Sequence, residues 1–134
     1  MASTPRIGFF GHSGGAFQGA MVSAVDERVT VLVLAGCGTG TLVRVAAWDP
    51  DVSTAYLQWL DRYDPGHFLP STQSRRLLLQ HGSRDEVISR EESLALRRLR
   101  ADSDWREYDC GHGLETPAPR GDRRTLLVEE LLRG

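Results

Sequence analysis

Ser13 lies in Gly11-His12-Ser13-Gly14-Gly15, directly after the apolar run Ile7-Gly8-Phe9-Phe10 and before Ala16-Phe17-Gln18-Gly19-Ala20-Met21-Val22. A serine set in glycines between a strand and a helix is the G-x-S-x-G nucleophile elbow. The turn is tight enough that both flanking positions are expected to need glycine. It lifts the serine oxygen above the free N–H groups and positive dipole of the next helix, which suit a developing oxyanion. Serine alone is a weak nucleophile; it needs a histidine to take its proton and a carboxylate to hold that histidine's tautomer. Two later segments offer them, Asp85 in His81-Gly82-Ser83-Arg84-Asp85 and His112 in Cys110-Gly111-His112-Gly113.

These residues need a scaffold that brings them to one edge. Arg6–Phe10 reads as a first strand and Gly14–Val25 as a helix. Val29–Ala35 is a continuous apolar, β-branched run, the pattern of a strand buried on both faces of a parallel sheet. Leu77–His81 and Trp105–Tyr108 read as third and fourth strands. Glu91–Arg100 reads as an amphipathic helix with Leu94, Leu96 and Leu99 as its apolar positions, Ser89 as N-cap and Glu91 and Glu92 in its first turn. Arg123–Leu132 reads as a closing helix. Residues 41–72 form an excursion, lid-like in position, with one helix expected over Val52–Arg62 and a break at Asp64-Pro65-Gly66. Strands alternating with helices predict an α/β fold: a parallel sheet of about four strands with helices on both faces. Asp85 and His112 then follow strand C-termini, as Ser13 does.

With the chain order Ser, Asp, His, the three blocks Gly11–Gly15, His81–Ile88 and Tyr108–Gly113 resemble the motif blocks of an α/β-hydrolase. The flavour is that of the dienelactone-hydrolase or acyl-peptidase-like esterase branch. The resemblance implies a serine ester hydrolase acting on a small-molecule ester or acyl substrate. Ser13 matches its nucleophile, Asp85 its acid, His112 its base, and Gly14 the residue whose N–H forms half of the oxyanion hole. It implies no metal and no organic cofactor. It also implies a partial fold, the C-terminal half only. A full member carries strands before the elbow and a loop giving a second oxyanion N–H, and no HGGG-type segment occurs in this chain. A mis-assigned start, a gene fragment, a complementing chain or a homodimer through the exposed first strand all fit that departure. The rival expectation is a catalytically inactive remnant that acts as a binding or assembly module.

Composition narrows the classes. The chain has 134 residues and a net charge of −2, which fits one domain and no polyanion-binding surface, so no nucleic-acid partner is expected. All basic side chains are Arg, with no Lys and no Asn, the mark of a GC-rich genome. Cys37 and Cys110 lack metal-ligand spacing and read as reduced, cytoplasmic cysteines. Met1–Arg6 has no apolar leader segment, and no run is long enough to span a bilayer, so no membrane association is expected.

Several residues have plainer readings. Asp109 is a rival carboxylate, but it stands too close to His112 in sequence and is expected to face elsewhere. The resemblance implies a structural role for His12, inside the elbow; His81 reads as a core histidine at a strand end, and His67 as part of the excursion's packing, with a substrate contact as the alternative. Cys37 reads as a small buried hydrophobe. Trp48, Tyr56 and Trp59, at near-helical spacing, read as core, with an acyl pocket or a lid contribution as the alternatives. Leu32–Gly40 resembles the glycine-rich first motif of S-adenosylmethionine-dependent methyltransferases, but Leu34 and Ala35 stand where that family carries an acidic residue.

Overall fold

The computed structural model describes residues 4–133; residues 1–3 of the segment read as lacking a leader lie outside the described residues. Four strands form one sheet in the order β1 (Ile7–His12), β2 (Val29–Ala35), β3 (Arg76–Gly82) and β4 (Asp104–Tyr108). Every pairing is parallel. The strands alternate with α1 (Gly14–Val25), an excursion over residues 41–71, and α5 (Arg90–Arg98); α6 (Pro117–Leu132) closes the chain. This is the α/β sheet that the alternating pattern predicts.

The period of two in β2 and β3 sorts their side chains onto two faces. Leu32, Leu34, Leu77 and Leu79 pack with Ala16 and Ala20 of α1 and Leu96 of α5. Val31, Val33 and Leu78 face the other way, against Leu126 and Leu127 of α6. Both faces are covered, which is why β2 reads as an unbroken apolar run. Among the described residues β1 is an edge of the sheet, with Ile7 and Phe10 36% and 39% exposed.

Three expectations need correction. The excursion holds more helix than its sequence shows: α2 (Thr41–Trp48), α3 (Thr54–Asp61), the short α4 (Pro65–Phe68) and a 3-10 turn at Leu69–Ser71. α2 escapes notice because its N-cap is Gly40, with no capping side chain of its own. The cap comes from Asp64, whose Oδ2 accepts from the Gly40 and Thr41 N–H groups at 3.0 and 2.9 Å. The closing helix begins at Pro117, not Arg123, since Pro is tolerated in a first turn whose N–H groups have no helical acceptor. In α5 the buried face is Ser93 and Leu96, while Leu99 is 43% exposed. Ser93 replaces an apolar contact by accepting from Trp105 Nε1 at 2.9 Å. Ser89 does cap α5, in a capping box with Glu92.

Candidate active site

The C-terminal ends of β1, β3 and β4 bring Ser13, Asp85 and His112 together across 99 and 27 residues of sequence. Ser13 takes φ 54° and ψ −114°, a backbone state that side chains rarely adopt. Its N–H is tied to the Ala35 carbonyl at 2.9 Å, which fixes the strand end while the chain turns into α1. Gly11 is demanded by this turn, because a Cβ there would sit 2.2 Å from the Gly15 carbonyl oxygen. Gly15 is not so constrained, since a Cβ there meets nothing within 4 Å. The expectation that both flanking glycines are sterically required therefore holds for the first alone.

Asp85 has a fully buried side chain. Its Oδ1 accepts from the Val87 and Ile88 N–H groups, each at 2.8 Å, and its Oδ2 faces His112 Nδ1 at 2.8 Å. Burial pushes the carboxyl up, but the Ile88 N–H, the His112 ring and the Val87 N–H more than offset it, and the net direction is down. Asp85 is thus ionised near neutrality and accepts from Nδ1–H. That tautomer leaves the lone pair on Nε2, which lies 3.0 Å from Ser13 Oγ and can accept its proton. The neighbourhood holds the ring in place. His12 Nε2 donates to the His112 carbonyl at 2.7 Å, and a Cβ on Gly36 would lie 3.0 Å from His112 Cε1. The Gly14 N–H opens the 12-residue helix α1, where N–H groups have no intrahelical acceptor. An anion beside Ser13 Oγ would meet that N–H and the helix dipole. The arrangement can deprotonate a hydroxyl and meet the negative charge that its attack creates.

Asp109 points to solvent, 90% exposed beside Arg84. His81 is buried and stacked on Trp105 with centroids 6.0 Å apart; burial lowers its pKa, as for a neutral core histidine. Cys37 is buried, and burial pushes its thiol up to about 12, so it is no nucleophile at neutral pH. Cys37 and Cys110 are free. His67 is 56% exposed and lies 3.5 Å from Asp61, which corrects the packing role expected of it. Trp48, Tyr56 and Trp59 are also not core: they are 59%, 48% and 51% exposed, and they line a cavity of about 610 Å³ that opens on Ser13 and Gly14. The glycine-rich stretch has work to do within the chain. Gly36 backs onto the His112 ring, a Cβ on Gly38 would strike Glu92, and Gly40 takes φ 88° to begin α2. Gly36 and Gly38 thus pack against the protein's own side chains, not against open space where a cofactor would approach.

Asp64 is the site residue that the sequence reading missed. It is 3% exposed and ties Thr39 Oγ1, the Gly40, Thr41 and Gly66 N–H groups to one carboxylate. It thereby fixes α2 and α4, and α2 supplies Thr41, Arg44, Val45 and Trp48 to the lining of the cavity beside Ser13. The signal was present: Asp before Pro at a helix start is an N-cap pattern, but its reach to residue 40 is not local.

Neither a family model nor a curated protein sequence matches the chain. Solved structures do. The esterase domain of a Rhodothermus marinus protein superposes with a TM-score of 0.67 at 19% identity, over 91% of this chain and 59% of that one. An α/β-hydrolase enzyme from the metagenome of Mar Chica lagoon sediments gives 0.63 at 17% identity, over 90% and 59%. The thioesterase domain from the curacin biosynthetic pathway gives 0.63 at 14% identity, over 91% and 65%. The fold is that of an α/β-hydrolase. The chain spans 59–65% of the length of these three structures. At such identities the likeness is one of fold and specifies no branch of the α/β-hydrolases. No described helix is long and apolar enough to cross a membrane.

Proposed function

We propose that this chain is a serine ester hydrolase, acting on a small-molecule ester or acyl compound. The observation that carries this is the unbroken line of hydrogen bonds from Asp85 Oδ2 through the His112 ring to Ser13 Oγ, at 2.8 and 3.0 Å. Ser13 Oγ attacks the carbonyl carbon while His112 Nε2 takes its proton. The oxyanion so formed is met by the Gly14 N–H at the positive end of α1. Asp85 steadies the imidazolium. The carbonyl re-forms, the alcohol departs with the proton from Nε2, and an acyl group remains on Ser13. Water, deprotonated by His112, then attacks the acyl carbon and returns Ser13 with release of the acid. These steps draw on side chains, backbone and water.

The test is hydrolysis of 4-nitrophenyl acetate by the purified chain and by Ser13→Ala. The expected result is turnover that falls by roughly 10³-fold or more in the variant. Equal rates from the two proteins contradict the proposal. So does absence of turnover from demonstrably folded wild type, which is the outcome the binding-module reading predicts.

A further inference from the structure

The apolar positions of α3 and its C-terminal extension, Tyr56, Trp59, Leu60 and Tyr63, follow an i, i+3, i+4, i+7 stripe. Such a stripe normally seats a helix on its core, yet α3 has no buried residue. The stripe instead walls the cavity of about 610 Å³. Its rings are already arranged: Tyr56 stacks on Trp59 with centroids 5.8 Å apart, and Trp59 meets Tyr63 edge-on at 5.1 Å. Phe17 and Met21 of α1 line it too, as does Ser13. Arg44 is the only charged side chain among the lining residues. Its charge is met by Glu92, which its Nη1 pairs with at 2.5 Å, and its guanidinium lies over the Trp48 ring at 5.4 Å. An occupant that reaches Ser13 thus finds apolar walls and no free charge to pair with. The volume suits a small-molecule site.

We infer that this cavity is the acyl site, that it takes an extended, uncharged apolar acyl group in preference to acetyl, and that Trp59 is its specificity-determining wall. The inference rests on Ser13 being the nucleophile: the serine and the aromatic stripe line one cavity, so an acyl chain lying on the stripe can bring its carbonyl to Oγ.

The experiment is kcat/KM for 4-nitrophenyl acetate, butyrate, hexanoate and octanoate with wild type, Trp59→Ala and Trp59→Phe. Each methylene withdrawn from water should raise wild-type kcat/KM by about fourfold until the cavity is filled. The octanoate-to-acetate ratio should fall about tenfold in Trp59→Ala and stay within about threefold of wild type in Trp59→Phe, which keeps the apolar wall. Trp59 is half exposed, so neither change threatens the core. A wild-type profile that is flat, or that falls with chain length, overturns the acyl-site inference while leaving the hydrolase reading intact. An unchanged ratio in Trp59→Ala overturns the role of Trp59. Folded wild type that turns over none of the four esters overturns the hydrolase reading, and the inference with it.

Discussion

Replacing Asp85 by Asn alters the relay while nearly preserving shape. The carboxylate has two occupied oxygens: Oδ1 accepts from two backbone N–H groups and Oδ2 from His112 Nδ1–H. An amide has one acceptor oxygen. Two N–H groups outnumber one, so the Asn oxygen should stay on Val87 and Ile88 and turn its NH₂ toward Nδ1. A donor there forces the imidazole proton onto Nε2, which then points at Ser13 Oγ and cannot accept. The expected loss is roughly 10⁴-fold in kcat, by the precedent of the same substitution in a serine protease, equivalent to about 5.4 kcal/mol. KM should move by less than about threefold, because Asp85 does not line the cavity shared by Ser13 and the aromatic stripe. Stability should fall by about 2 kcal/mol as charge-assisted bonds become neutral ones. The assay is 4-nitrophenyl ester hydrolysis, paired with urea unfolding to show that the variant is folded at assay temperature. A kcat within tenfold of wild type in a folded variant refutes this reasoning about the tautomer.

Other consequences follow from the same geometry. Ser13 holds a positive φ, so Ser13→Gly should be about 1–2 kcal/mol more stable than Ser13→Ala in urea, with neither variant turning over ester. Gly11→Ala should prevent correct formation of the elbow, whereas Gly15→Ala should raise stability by up to about 1 kcal/mol in the same unfolding assay. Asp64 and Asp85 both have folded pKa values held below the ordinary carboxylate range: burial raises each, and the hydrogen bonds they accept outweigh it. A depressed folded pKa gives stability that is full above the unfolded value of about 3.9 and is lost as pH falls through the folded value. The urea midpoint should therefore hold between pH 7 and about pH 5 and drop below about pH 4. That acid drop should be smaller in Asp64→Asn.

The core of the site was legible because its parts are local. Ser13, Asp85 and His112 each sit just past a strand whose apolar run is visible in the sequence, and a parallel sheet puts such strand ends on one edge. What was illegible depends on contacts between distant segments. The start of α2 is capped by a carboxylate 24 residues away from Gly40, so no local signal marks it. Trp48, Tyr56 and Trp59 have the composition of a core stripe. Their helices, α2 and α3, pack on each other, α3 buries no residue, and periodicity cannot tell a wall facing a cavity from one facing a core. Gly15 looked obligatory from the motif; only the position of the surrounding atoms shows that Gly11 alone is. His12 needed the fold to reveal its contact, the carbonyl of the residue whose ring faces Ser13.

The central claim is that Ser13 is an activated nucleophile. A fluorophosphonate probe reacts with a serine hydroxyl that a base has activated. Labelling of the purified chain, with the site mapped by mass spectrometry, tests the claim most directly. The account predicts one adduct on Ser13, absent in Ser13→Ala and slowed by orders of magnitude in His112→Ala. A folded chain that takes no label, or takes it at another serine, contradicts it.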